Sequence, residues 1–333
     1  MMHFESGERQ TITYMKAVGI SLVVFGHCLS YYGMHSDLGR AFKLVEHLSY
    51  TVNVPIFIII AGFLCHKQDL IVFHKKKIKR VLVPFWMFSM LKILYSLLTH
   101  EVSHGSSLFE LIIDAYLLGN TYWFAYSIYL MFITAPAFWA EKKIGSRQLY
   151  SGFVLLFLIV FNCIYYKLQL SFLPSIFQFH NFVKYLPYFL IGHIVSVYWG
   201  KTLKNTIQAY RTTIFVVSLI IIICESYAFF LDSYRVQSYF INLLTSLALF
   251  MLLLMLVSKI KVPIAFFTML GNYSWQIMML DSFFHVVLFK LAFRFAYSKP
   301  ECILMITILD LALSVLCSKC CEKIPYIRFL FGL

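Results

Sequence analysis

The chain has 333 residues, of which 61% are hydrophobic, 18% aromatic and only 13% charged, and its mean hydropathy is +0.79. A soluble domain carries about 25% charged residues to coat its surface, so this composition excludes a soluble enzyme and points to a polytopic membrane protein. Lys and Arg outnumber Asp and Glu by 28 to 15, a net charge of +13; the cations sit in short clusters between apolar runs, with no aromatic-interleaved basic stripe, which excludes nucleic acid as a partner.

Crossing the ~30 Å hydrocarbon core takes about 20 mostly apolar helical residues. The apolar runs are continuous and long, unlike barrel strands that alternate over roughly 10 residues, and lipid tolerates no unpaired backbone. The expected fold is therefore an all-α transmembrane bundle. In chain order the pattern predicts ten spans, over 12–33, 48–66, 80–99, 121–140, 151–168, 183–200, 212–231, 237–257, 271–290 and 301–318. The first is too long, and lacks a small-residue cleavage site, to be a removed signal peptide. Between the third and fourth, LFELIIDAYLL (108–118) is too short to span and carries Glu110 and Asp114, which suits an interfacial helix on the outer side.

Eighteen of the cations fall in one alternating set of connections, from Arg9 through the cluster HKKKIKR (His74–Arg80) to Arg328, and eight in the other. The positive-inside rule then places both termini in the cytoplasm, which requires an even number of spans. No internal repeat or Pro/Gly-rich linker divides the chain, so a single domain over 1–333 is expected. The eight cysteines lie mostly within apolar runs and show no zinc spacing, so neither a disulfide framework nor a metal site is expected.

Two cations, Lys16 and Lys92, remain inside spans, where ionisable groups are costly and point to function by default. Lys16 and His27 lie eleven residues apart in TYMKAVGISLVVFGHCLS. At about 100° per residue that spacing returns both to one helix face, roughly 16 Å apart along the axis. Histidine in such a place can act as a general base, because its ordinary pKa near 6.5 lets it take a hydroxyl proton at neutral pH. The ordinary alternatives are a helix-packing hydrogen bond for His27 and snorkelling to the headgroups for Lys16. Glu225 and Asp310 are single carboxylates within spans; His193 reads as a packing residue, and His100 and His104 as loop histidines.

A basic residue, ten residues, then Gly-His at the end of a first apolar span resembles the first-helix signature of the membrane acyltransferase-3 family. Lys in place of the usual Arg is common in its branch resembling fucose 4-O-acetylase and polysaccharide O-acetyltransferases. Further segments resemble the family's in order: HLSYTVNVPIFIIIAGFL (His47–Leu64), IKRVLVPFW (Ile78–Trp86), YWFAYSIYL (Tyr122–Leu130), YLPYFLIGHIV (Tyr185–Val195), LGNYSWQIMMLD (Leu270–Asp281) and IPYIRFLFGL (Ile324–Leu333). Their order and spacing carry the resemblance across nearly the whole chain.

The resemblance implies transfer of an acyl group, usually acetyl and alternatively succinyl, from cytoplasmic acyl-CoA to a hydroxyl of a surface polysaccharide or its lipid-linked precursor at the bacterial inner membrane. It makes His27 the essential histidine and Lys16 its basic partner. Asn53 falls where a polar side chain often stands near the site, and Trp123 is a belt residue that could stack on substrate. The cluster His74–Arg80 reads first as a topology determinant in contact with anionic lipid; as a second reading, Lys79 or Arg80 at the cytoplasmic mouth would meet the phosphates of coenzyme A. Acetyl-CoA enters as a substrate, with no tightly bound cofactor, and membrane lipid is the only other expected partner. Two positions depart from the family: Thr13 stands where an acidic residue is common and Asp281 where a histidine is, which makes Asp281 a candidate partner for an imidazole. The rival class is a glycan exporter or flippase, which would favour repeated halves and matched Gly/Pro-interrupted helices; neither is visible.

Overall fold

The computed structural model describes residues 6–36, 39–98, 107–139, 146–198, 205, 207–231, 239–260, 262–294 and 300–333, and every regular element among them is helical. In chain order these are α1 (Ser6–His35), α2 (Arg40–Phe63), α3 (Leu70–Leu98, with a π turn at Ile78–Leu82), α4 (Leu108–Ile112, running into a π turn at Ile113–Leu118) and α5 (Trp123–Thr134). They continue as α6 (Ser146–Lys167), α7 (Phe179–Tyr198), α8 (Arg211–Phe230), α9 (Tyr239–Val257), α10 (Ala265–Asn272), α11 (Ser274–Arg294), α12 (Glu301–Glu322) and α13 (Pro325–Leu330). Among the described residues eight of these, α1, α2, α3, α6, α8, α9, α11 and α12, are long and apolar enough to cross a membrane. The chain is a multi-pass, all-α membrane protein.

The other two expected spans have identifiable departures. The stretch over 121–140 forms a helix of 12 residues that tightens into a 3₁₀ turn at Ala135–Phe138, where Pro136 offers no N–H to continue the ladder. The stretch over 183–200 forms α7, 20 residues long but carrying His180, Asn181, Lys184 and His193. The segment read as an interfacial helix does fold as one short helix. Ser107 caps it in a reciprocal box with Glu110, and Gly119, at φ 70°, ends the following π turn in the left-handed region open to glycine. Lys142, Lys143, Lys201, Lys204, Arg235, Lys261, Lys299, His100 and His104 lie outside the described residues, as does the side chain of Arg147.

Backbone packing divides the chain into two compact units, one of Met1–Ile60 with Tyr198–Lys319 and one of Ala61–Val197 with Cys320–Leu333. In the first, α1 is buried on two sides. Ile20, Val24 and Leu29 pack with Ile277, Phe289, Ile303 and Ile306 from α11 and α12, while Tyr14 and Met15 pack with Val52, Ile56 and Val257. The middle of α1, from Ala17 to Leu29, is largely apolar and buried, as a core helix requires, with Ser21 and His27 as its polar side chains. Gly271 of α10 lets the backbones touch: a Cβ there would sit 2.1 Å from the Thr13 carbonyl oxygen. Gly271→Ala is expected to cost about 1–3 kcal/mol, read as a lower thermal midpoint of the detergent-solubilised protein; an unchanged midpoint would contradict this packing.

Proline inside a membrane helix frees the carbonyl four residues earlier. In the first unit Pro55 strands the Thr51 carbonyl, and the Ser246 hydroxyl of α9 lies 2.6 Å from it. In the second unit Pro187 strands the Val183 carbonyl, and Asn162 of α6, fully buried, reaches it through Nδ2 at 3.2 Å. Both helices therefore run on through their prolines. Pro84 in α3 has a different remedy, as the preceding turn widens to a π turn around Arg80.

Candidate active site

α1 runs unbroken from Ser6 to His35, so Lys16 and His27 share one continuous helix at the spacing the sequence predicts. Lys16 is half-buried. His27 meets the partner its neighbourhood lacks locally: its Nδ1 is hydrogen-bonded to Oδ2 of Asp281, 254 positions further along the chain on α11. The carboxylate is wholly buried while 38% of the His27 side chain stays exposed. The pair therefore has a closed back and an open front. A carboxylate oxygen accepts, so Nδ1–H donates, and a neutral His27 keeps its lone pair on Nε2.

Behind that pair lies a further polar layer. The next turn of α11 places His285 with Nδ1 2.5 Å from the Asp281 carbonyl oxygen and 3.3 Å from Asp281 Oδ1; since a carbonyl only accepts, this nitrogen carries the hydrogen. From α12, Asp310 brings its carboxyl against that of Asp281 and accepts from the Ser314 hydroxyl at 3.0 Å. Atoms of Asp281, His285 and Asp310 come within 4.8 Å of one another, close enough to share one ion. An ion bound through Nδ1 of His285 would have to displace the hydrogen bond to the Asp281 carbonyl.

The exposed side is bordered by hydroxyl and aromatic groups. Ser30, less than one turn past His27, donates to Glu46 and lies 3.0 Å from the Tyr50 hydroxyl. The ring of Tyr50 stands 6.2 Å from that of His27, and Tyr31 stacks on Phe289 at 5.2 Å and lies 5.7 Å from the His285 ring, steeply inclined to it. Chemically, the arrangement is an imidazole with its donor nitrogen anchored on a buried carboxylate and its acceptor nitrogen on the partly exposed side, a geometry able to take a proton.

The remaining candidates are placed as follows. Asn53 is 1% exposed, and its Oδ1 accepts from the adjacent Val54 N–H at 2.6 Å, a local contact within α2. Lys79, Arg80 and Trp123 belong to the second unit. There Lys79 and Arg80 are exposed, with the Lys79 ammonium 5.1 Å from the Phe329 ring centroid, and Trp123 stacks on Tyr185 at 5.4 Å. Glu225 is paired, 3.3 Å from His47 Nε2. His193 is buried against the Phe138 carbonyl at 2.8 Å, as a packing residue would be.

Sequence reading did not single out His285 or Tyr50. The i, i+4 spacing of Asp281 and His285 was a visible signal, because it puts both on one helix face. The contact of Asp310 with Asp281 joins two separate helices and had no local signature.

A family model described as an acyltransferase domain matches residues 9–318. No curated protein and no solved structure matches the chain.

Proposed function

The chain belongs to the membrane acyltransferase-3 family and is a membrane acyltransferase, and from that premise we propose that it moves an acetyl group, with succinyl as the alternative, from cytoplasmic acyl-CoA to a hydroxyl of a surface polysaccharide or its lipid-linked precursor. The observation that carries the reading is the His27–Asp281 pair, a buried carboxylate behind a partly exposed imidazole. In this scheme Nε2 of His27 takes the proton of the acceptor hydroxyl as its oxygen attacks the thioester carbonyl. The tetrahedral intermediate then expels the coenzyme A thiolate, which receives that proton from the imidazolium. Asp281 holds the productive tautomer and offsets the charge on the imidazolium between the two steps.

Lys16 supplies a cation on the same helix face, nearer the expected cytoplasmic end, where it would hold the donor. With both termini in the cytoplasm, His27 faces the outer leaflet and the acceptor approaches from that side. Lys79 and Arg80 are basic residues suited to the coenzyme A phosphates, in the inner membrane of a bacterium. The position of Asn53, buried and locally bonded, suits a packing role more than substrate contact.

The test is to compare cells carrying and lacking the gene, measuring O-acyl content of their surface glycan and its export separately. Loss of the acyl group with export intact is the expected result; loss of export with normal acylation would replace the transferase reading with the exporter. In the same cells Lys16→Arg is expected to keep at least about half the acylation, since charge is conserved. Complete loss at normal protein level would mean that the cation's shape matters and not its charge alone.

A further inference from the structure

We propose that Asp310 is a positioning residue that carries a proton and donates it in a hydrogen bond to Asp281, fixing which oxygen of Asp281 is presented to His27. The proposal rests on the reading of His27 as the base, and extends it by one layer.

The argument is one of accounting for buried oxygens. Asp281 and Asp310 are each 0% exposed. Two of their four carboxyl oxygens are satisfied: Asp281 Oδ2 accepts from His27 and Asp310 Oδ1 accepts from Ser314, while His285 donates to the Asp281 backbone carbonyl. That leaves Asp281 Oδ1, whose nearest donor, His285 Nδ1 at 3.3 Å, is already bonded to the Asp281 carbonyl, and Asp310 Oδ2; both are buried and neither has a well-formed hydrogen bond. Two carboxylates in contact cannot both remain ionised in an apolar interior without a cation between them. One proton placed between the two orphaned oxygens removes the repulsion and satisfies both atoms at once.

The proton belongs on Asp310. Asp281 already faces the imidazole, whose positive charge during the reaction calls for an anion, whereas Asp310 faces Asp281, the Ser314 hydroxyl and His285 among the described residues. Cys28 of α1, near both carboxyls, is fully buried, and neither it nor Tyr50, near Asp281, brings a cation. A donor locked onto Oδ1 also prevents the Asp281 carboxylate from turning, so Oδ2 stays aligned with His27.

The experiment compares Asp310→Asn and Asp310→Ala in the full-length protein in lipid vesicles, with acyl-CoA turnover as one readout. Asparagine supplies an N–H where the carboxyl hydroxyl was and is expected to keep activity within about fivefold of wild type. Alanine leaves Asp281 Oδ1 unpaired and is expected to lose roughly 5- to 150-fold. An infrared difference spectrum of wild type against Asp310→Asn reads the proton directly, and does so whatever the activity: a neutral-carboxyl carbonyl band present in wild type and absent in the variant is expected. No such band, or Asp310→Asn as inactive as Asp310→Ala, overturns the proposal, as does a stoichiometric metal ion in the purified protein that Asp310→Asn releases. Acylation that survives loss of His27 would sink the base reading while leaving the infrared result to decide the proton on Asp310.

Discussion

Replacing His27 with glutamine is expected to reduce acyl transfer by about 10²–10⁴-fold, the range removed with a general base, which corresponds to about 3–5 kcal/mol of barrier. Glutamine is chosen because its amide can still donate to the Asp281 carboxylate. Truncation to alanine would leave that wholly buried anion without its partner, and breaking a buried pair on one side costs several kcal/mol of stability by itself. His27→Gln therefore separates loss of proton transfer from loss of fold. The measurements are glycan O-acyl content by mass spectrometry and membrane protein level by immunoblot, followed by acyl-CoA turnover on purified protein. Retention of more than a tenth of wild-type turnover at equal protein level would show that the imidazole is not the base.

How far this arrangement could be read from sequence varies by residue, and the variation has a physical pattern. His27 was visible because an ionisable group inside an apolar run is expensive, and α1 is a single helix over which angular arithmetic holds. Asp281 stood out as an intramembrane carboxylate at a position where related sequences carry another residue, and the structure places it against His27. Asp310 looked like an isolated carboxylate. Its meaning depends on α11 and α12 coming together, and no periodicity within either helix encodes that contact.

The fold shows the same division. Runs of uniform apolarity became helices, although α2 and α3 begin at Arg40 and Leu70, well before the predicted 48 and 80, so that the basic cluster His74–Arg80 is itself helical; prolines and polar residues made the difference at the two remaining stretches. Pro136 shortened one of them into a 3₁₀ turn. Pro55 and Pro187 did not, because Ser246 and Asn162 reach the carbonyls they free. Whether a membrane proline breaks or merely interrupts a helix is thus decided by a polar side chain on another helix, which a local reading does not weigh.

The second large effect is expected at Asp281→Asn, with turnover lowered about 10³–10⁴-fold and acyl-CoA affinity little changed. The substitution keeps the shape of the side chain but converts one oxygen to an NH₂ group, and the surroundings decide which. With a proton on Asp310 directed at the Oδ1 position, the amide oxygen must occupy that place to accept it, and the NH₂ is turned towards His27. His27 Nδ1 then becomes the acceptor, its hydrogen moves to Nε2, and the lone pair needed to receive the substrate proton is gone. The imidazolium also loses its counter-charge. Steady-state kinetics over acyl-CoA concentration check this, because a fall in kcat at near-constant KM marks loss of a transition-state interaction and not of donor binding. Nitrogen NMR of labelled histidine checks the tautomer itself. Activity within tenfold of wild type, or an unchanged Nδ1–H tautomer, would mean that Asp281 only fills space beside His27, and the two carboxyls behind the imidazole would lose their role in setting its proton.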